Sequence, residues 1–145
     1  MALSLAEWRY NLRGAVADVQ ALTAVPLPTK IGDVSDHGVG VAVMLGPDEW
    51  LLIGAVVADG AGQALSITEI TERQIGLNIE GPGAAALLMS GCPLDLERLA
   101  AGRGTRTIFE TVEIVVIKHG PERFHVEVWR SFAPWLWAAL VAASG

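Results

Sequence analysis

With 145 residues, sixteen acidic against ten basic side chains and a formal net charge of −6, the chain lacks the basic surface that phosphate neutralisation requires, which argues against nucleic acid as a ligand. Apolar residues make up 52% and charged residues only 18%, against roughly 45–50% and about 25% in ordinary domains. The length suits one domain spanning residues 1–145, and a domain of this size cannot raise its buried fraction much alone, so the surplus apolar surface points to a partner chain.

No membrane span is expected, because the longest apolar run, Phe132 to Ala143, falls far below the ~20 residues that cross a bilayer. The opening Met-Ala-Leu-Ser-Leu-Ala-Glu-Trp carries an acid where a secretory signal needs a basic region and a long apolar stretch. Cys92 is the single cysteine, so no internal disulfide forms and a reducing cytoplasm is the expected compartment.

In chain order, Trp8 to Arg13 reads as a short strand ending at Gly14. Ala15 to Thr23 places Ala15, Val16, Val19 and Leu22 at helical spacing and is closed by Pro26 and Pro28. Lys30 to Gly38 mixes Gly, Asp, Ser and His and reads as a loop. Val39 to Leu45 and Glu49 to Ala55 form a hairpin around Gly46-Pro47-Asp48, where proline presets φ and aspartate bonds its own backbone. Ala58 to Ala64 is a loop, and Leu65 to Ile70 and Gln74 to Ile79 read as strands around Thr71-Glu72-Arg73.

Gly81-Pro82-Gly83 opens an Ala- and Leu-rich helix to about Ser90, with proline in the first turn. Gly91-Cys92-Pro93 ends it, and Leu94-Asp95-Leu96 leads into a short helical stretch to Ala101. Thr105 to Phe109, Val112 to Lys118 and Phe124 to Trp129 read as strands; in the last, Phe124, Val126 and Val128 alternate with His125 and Glu127 as a half-buried strand does. Ser131 stands where it can cap a final apolar helix. The Gly-Pro-acid turns at 46–48 and 120–122 each follow an upstream strand, glycine and helix. The expected fold class is therefore α+β: two β-α-β-β units with mostly antiparallel sheet, plus a C-terminal apolar helix.

The block Val128-Trp129-Arg130-Ser131-Phe132-Ala133-Pro134-Trp135-Leu136-Trp137 holds three of the five tryptophans and no Asp, Glu, His or Cys. Such a block packs or docks, because aromatics and Arg bury large areas with few rotors while keeping a polar handle. The candidate partner-interface residues are Trp50, Arg106, Trp129, Arg130, Phe132, Trp135 and Trp137. For the two arginines, pairing within the chain and docking to a partner both stand, since a planar guanidinium serves either.

Other chemistry-bearing residues read more plainly. His37, His119 and His125 show no metal-ligand spacing and read as surface or hydrogen-bonded histidines. Cys92, between Gly91 and Pro93, reads as a buried thiol rather than a nucleophile. Gly81-Pro82-Gly83 is a poor phosphate cradle, because Pro82 removes an amide. Asp48 with Glu49 and Asp95 with Glu97 lie in turns, where solvation keeps paired acids ordinary. No catalytic, cofactor-binding or metal-binding residue is expected.

Asn11-Leu12-Arg13-Gly14, Leu45-Gly46-Pro47-Asp48-Glu49-Trp50-Leu51-Leu52, Gly81-Pro82-Gly83-Ala84, Gly91-Cys92-Pro93-Leu94-Asp95-Leu96, Thr105-Arg106-Thr107 and Val128 to Pro134 occur in an order that resembles the gamma subunit of heterotetrameric sarcosine oxidase over nearly the whole chain. The resemblance implies a fold like a fragment of the folate-binding aminomethyltransferases and a non-catalytic role. It implies partners, the alpha subunit first, and places FAD, FMN, NAD, tetrahydrofolate and zinc on other subunits, with no cofactor on this chain. The family has a helix after the Trp-Leu-Leu strand; here Ala55 runs through Ala58-Asp59-Gly60 almost directly to the next strand. That trimming leaves a gamma-type subunit of a related N-methyl amino acid oxidase or dehydrogenase as an alternative. A free-standing folate-binding protein and a homodimer joined through its aromatic ends are the other readings.

Overall fold

Val- and Ile-rich runs broken by Gly and Pro dictate many short strands, and the computed structural model, which describes residues 1–4, 8–60 and 65–145, contains ten of them. In order they are β1 (Ala2–Ser4), β2 (Arg9–Arg13), helix α1 (Val16–Gln20), β3 (Val34–Asp36), β4 (Val41–Gly46), β5 (Glu49–Ile53), β6 (Ser66–Glu69), β7 (Gln74–Glu80), helix α2 (Ala84–Met89), β8 (Arg103–Phe109), β9 (Val112–Gly120), β10 (Arg123–Trp129) and helix α3 (Ala133–Ala143), which follows a 3-10 turn at Arg130–Phe132. No described helix is long and apolar enough to cross a membrane.

The chain divides into two compact units, Ala6–Thr71 and Met1–Leu5 with Glu72–Gly145. The first holds a five-stranded antiparallel sheet in the order β3-β4-β5-β2-β6. Leu12, Val19, Val25, Ala42, Trp50 and Leu52 form its core. Regular helix covers less than the 15–23 periodicity predicts, because Leu22 and Thr23 close back on Val19 and Gln20 (3.0 and 3.4 Å) and wind the helix down. The Gln20 side chain completes that stop. Its amide donates to the carbonyls of Thr23 and Val25, and its oxygen accepts from Leu27 N at 2.7 Å.

The second unit repeats the plan with the order β1-β7-β10-β9-β8, again antiparallel. Its core joins Leu77, Ile79, Val116, Phe124, Val126 and Val128 of the sheet to Leu88 of α2 and Leu136 and Leu140 of α3. Strand by strand the two orders correspond: β3-β4-β5-β2 matches β8-β9-β10-β7, and the fifth strand flanks β2 in one unit and β7 in the other. The expected pair of β-α-β-β units is present, each one enlarged. Each fifth strand precedes, in sequence, the first strand of the other unit. That is why β6 and β7 flank residues 71–73 without forming a hairpin.

Three local expectations are corrected. The loop expected at 30–38 contains the edge strand β3, whose Val34, Ser35 and Asp36 pair with Val43, Ala42 and Val41; its polar residues hid an edge that has one neighbour only. The short helix expected before Ala101 is a set of turns held by Leu99 N to Asp95 O and Arg98 N to Asp95 Oδ1, both 3.2 Å. Ser131 does not cap α3, whose N-cap is Phe132 and whose first turn carries Pro134. The loop expected at 58–64 lies partly outside the described residues.

Candidate partner interface

The aromatic block sits where β10 passes through the 3-10 turn into α3, and two hydrogen bonds from Arg130 fix that junction. Arg130 N donates to Arg73 O at 2.7 Å, and Arg130 Nε donates to Glu72 O at 2.9 Å. The Arg73 guanidinium lies 5.4 Å from the centre of the Trp129 ring, within cation–π range. Leu136 and Leu140 of α3 face the core, and the helix then has no polar face left to show water. Its other side, the preceding turn and the end of β10 display Trp129 (43% exposed), Phe132 (46%), Trp135 (40%) and Val141 (48%).

Two apolar depressions flank the junction. A groove of about 520 Å³ is lined by Leu3, Ile75, Arg130, Ala133, Pro134 and Trp137. A smaller one of about 220 Å³ lies between Glu113, Trp129 and Phe132. Exposed apolar surface gathered in one region and rimmed by charge marks interaction sites rather than chance exposure.

The structure therefore brings together five of the seven candidates: Trp129, Arg130, Phe132, Trp135 and Trp137. Arg106, on β8, lies 3.4 Å from Glu113 Oε1, and so reaches the junction only through the residue that lines the smaller depression. Trp50 is a correction. It is 1% exposed in the core of its own unit, with Nε1 donating to Pro28 O at 2.8 Å, so it presents no area to another chain. On β5 its whole neighbourhood is buried, which single-strand alternation does not reveal.

The expected half-buried alternation of β10 is corrected too: residues 124–128 are buried on both faces. His125 bridges two oxygens there, with Nε2 2.6 Å from Glu127 Oε1 and Nδ1 2.8 Å from Asn78 Oδ1. Gly76 makes the space, since a Cβ there would stand 2.7 Å from His125 Cε1 and 2.8 Å from Glu127 Oε1. The i, i+2 spacing of His125 and Glu127 was the available signal of a shared face.

Glu49, expected in a solvated turn, is 6% exposed and accepts from Asn11 Nδ2 at 2.8 Å and Arg13 Nη2 at 3.1 Å. Asp48 is exposed. Asp95 pairs loosely with Arg98 (3.6 Å), and Glu97 is exposed. Lys118 was missed: it is 5% exposed, donates to Leu96 O at 2.7 Å and Glu97 O at 3.3 Å, and lies over the Phe124 ring.

Cys92 is buried, 3.9 Å from Thr107 Oγ1. His37 is exposed, and His119 is half-buried with its ring centre 6.5 Å from that of His125. Among the described residues no group of three or more His, Cys, Asp or Glu side chains is placed to hold a metal.

The two antiparallel α+β units share their fold with part of an aminomethyltransferase. The solved aminomethyltransferase T of the glycine cleavage system from Bartonella henselae superposes with a TM-score of 0.67 at 15% identity, over 94% of this chain and 44% of that one. No protein-family model matches the chain.

More particularly, its curated relatives are gamma subunits of sarcosine oxidase. The Arthrobacter subunit is 29% identical over 76% of this chain and 60% of its own length, and that of Corynebacterium strain U-96 is 29% identical over 80% and 62%. The strain P-1 subunit is 28% identical over 82% and 64%. The chain thus spans somewhat over three fifths of the length of these relatives. A chain of the heterotetrameric sarcosine oxidase from Corynebacterium sp. U-96, in complex with pyrrole 2-carboxylate, shares the fold with a TM-score of 0.82 at 24% identity, over 99% of this chain and 84% of that one.

Proposed function

We propose that this chain is a non-catalytic, gamma-type subunit of a heterotetrameric, flavin-dependent sarcosine oxidase. Its place is against the larger flavoprotein subunits, alpha first, and its contribution is interface area. The complex oxidises the N-methyl group of sarcosine at flavin, passes two electrons to oxygen as peroxide, transfers the one-carbon unit to tetrahydrofolate and releases glycine. FAD, FMN, NAD, tetrahydrofolate and zinc belong to the other subunits in this reading.

The observation that carries the proposal is the coincidence of sequence likeness and surface exposure. The relatives found by sequence are named as gamma subunits, and the aromatic block at 128–137, whose first seven residues are among those that carry the resemblance, forms the exposed junction of Trp129, Phe132 and Trp135. Aromatics held rigidly at a surface are the usual anchors of an association.

Co-expression with the flavoprotein subunits of a heterotetrameric sarcosine oxidase tests the reading. Co-purification of the chain with flavin-bearing subunits, and sarcosine-dependent peroxide formation by the complex, are the expected results. Tight binding of tetrahydrofolate by the isolated chain, with no association, would transfer the argument to a free-standing folate-binding protein.

A further inference from the structure

The groove lined by Leu3, Ile75, Ala133, Pro134, Trp137 and Arg130 presents five apolar residues and one cation. Its volume of about 520 Å³ falls within the roughly 300–1,000 Å³ of ligand clefts, yet such clefts bury some 70–90% of their ligand. This one is open along a side, with Leu3 53% exposed on the edge strand β1. A small molecule would stay largely in water there, whereas a protein segment continues over the neighbouring aromatic surface.

Charge narrows the occupant further. Among the described residues Arg130 is the one charged residue of the lining, and Arg73 adds a second guanidinium beside Trp129. The Glu72 carboxylate is 94% exposed and 3.8 Å from Arg130 Nη2, a loose surface pair of little strength. In a chain of net charge −6 the described lining of the groove carries a positive charge. A second copy of the chain fits poorly, since a two-fold interface sets each patch against itself and brings the arginines together.

We infer that this groove seats an acidic–apolar segment of the larger partner subunit: an apolar side chain lies on Ile75, Ala133 and Trp137, and a neighbouring Asp or Glu carboxylate meets the Arg130 fork. The inference rests on the reading of the chain as a subunit of a larger complex and names what its partner must offer. Bidentate carboxylate recognition is the geometry in which Arg exceeds Lys.

The test replaces Leu3 with the photo-crosslinking residue p-benzoylphenylalanine in the co-expressed complex and maps the crosslinked peptide by mass spectrometry. Alongside it, Arg130→Glu and Arg130→Lys are compared for association, with thermal unfolding of each isolated variant as the folding control. Crosslinks to a partner segment in which an apolar residue adjoins Asp or Glu support the inference. So does association weakened tenfold or more by Arg130→Glu and less by Arg130→Lys. A complex that forms without crosslinking at Leu3, or with crosslinks to a second copy or to a segment lacking an acid, overturns the groove assignment and leaves the subunit reading intact. Failure of the unmodified chain to join any partner overturns both.

Discussion

Trp135 stands edge-on to Phe109, with ring centres 6.3 Å apart and planes at 70°. Phe109 is 2% exposed and Trp135 is 40% exposed. The indole is therefore fixed by the core while part of its surface remains available. An anchor pre-positioned in this way loses little rotamer entropy when a partner covers it.

Replacing Trp135 by Ala should weaken association by about 2–4 kcal/mol if the residue is a hot spot. It should also destabilise the isolated chain, since an aromatic pair contributes about 0.5–1.5 kcal/mol beyond area. Titration calorimetry on the complex and urea denaturation of the free chain separate the two effects. Equal association by wild type and variant would remove Trp135 from the interface.

Trp50 should behave in the opposite way. As a buried side chain hydrogen-bonded to Pro28 O, its replacement by Ala should cost about 3–5 kcal/mol of stability. Trp50→Phe should cost less and expose the contribution of the lost indole N–H. A Trp50→Ala chain that melts like wild type contradicts the core placement.

Gly76→Ala should destabilise the unit that contains β7 by about 1–3 kcal/mol through overpacking, because the added methyl meets His125, Glu127 and the Cβ of Ser4 within 2.9 Å. Gly81→Ala meets nothing within 4 Å but sits at a φ of +125°, so its cost comes from the backbone alone. Denaturation midpoints report both, and a neutral Gly76→Ala would show that the His125–Glu127 pair yields without cost.

Lys118→Met keeps most of the stem over Phe124 but leaves the Leu96 carbonyl without its donor. The expected loss is about 1–3 kcal/mol, concentrated in the turns after Cys92. Faster amide exchange at residues 94–101, with the core strands unchanged, is the signature to look for. Uniform exchange across that segment in both proteins would show that Lys118 does not tether it.

The strands around Pro47-Asp48 and 121–122 were legible because turn chemistry is local: Pro and the acid act within four residues. The antiparallel pairing of β4 with β5 and of β9 with β10 follows from those turns. β3 was not legible, since Val34-Ser35-Asp36 has little strand propensity and is ordered by its pairing to β4. The helix expected before Ala101 does not form because Arg98 N turns toward the Asp95 side chain and Lys118 claims the carbonyls of Leu96 and Glu97.

The candidate surface divides along the same line. Composition and the apolar run at 132–143 were enough to show that α3 would have no polar face, whatever it packed on. They did not separate Trp50 from Trp135, because both are tryptophans in apolar surroundings and differ only in what the folded chain places around them.

By itself the order of residues determined most element types, the hairpin positions and an excess of apolar side chains, consequences of short-range turn chemistry, periodicity and composition. The strand order, the burial of both faces of β10, the His125–Glu127 pair and the side of α3 left uncovered were decided by tertiary structure. Each depends on contacts between segments far apart in the chain, and no local pattern encodes which neighbour arrives.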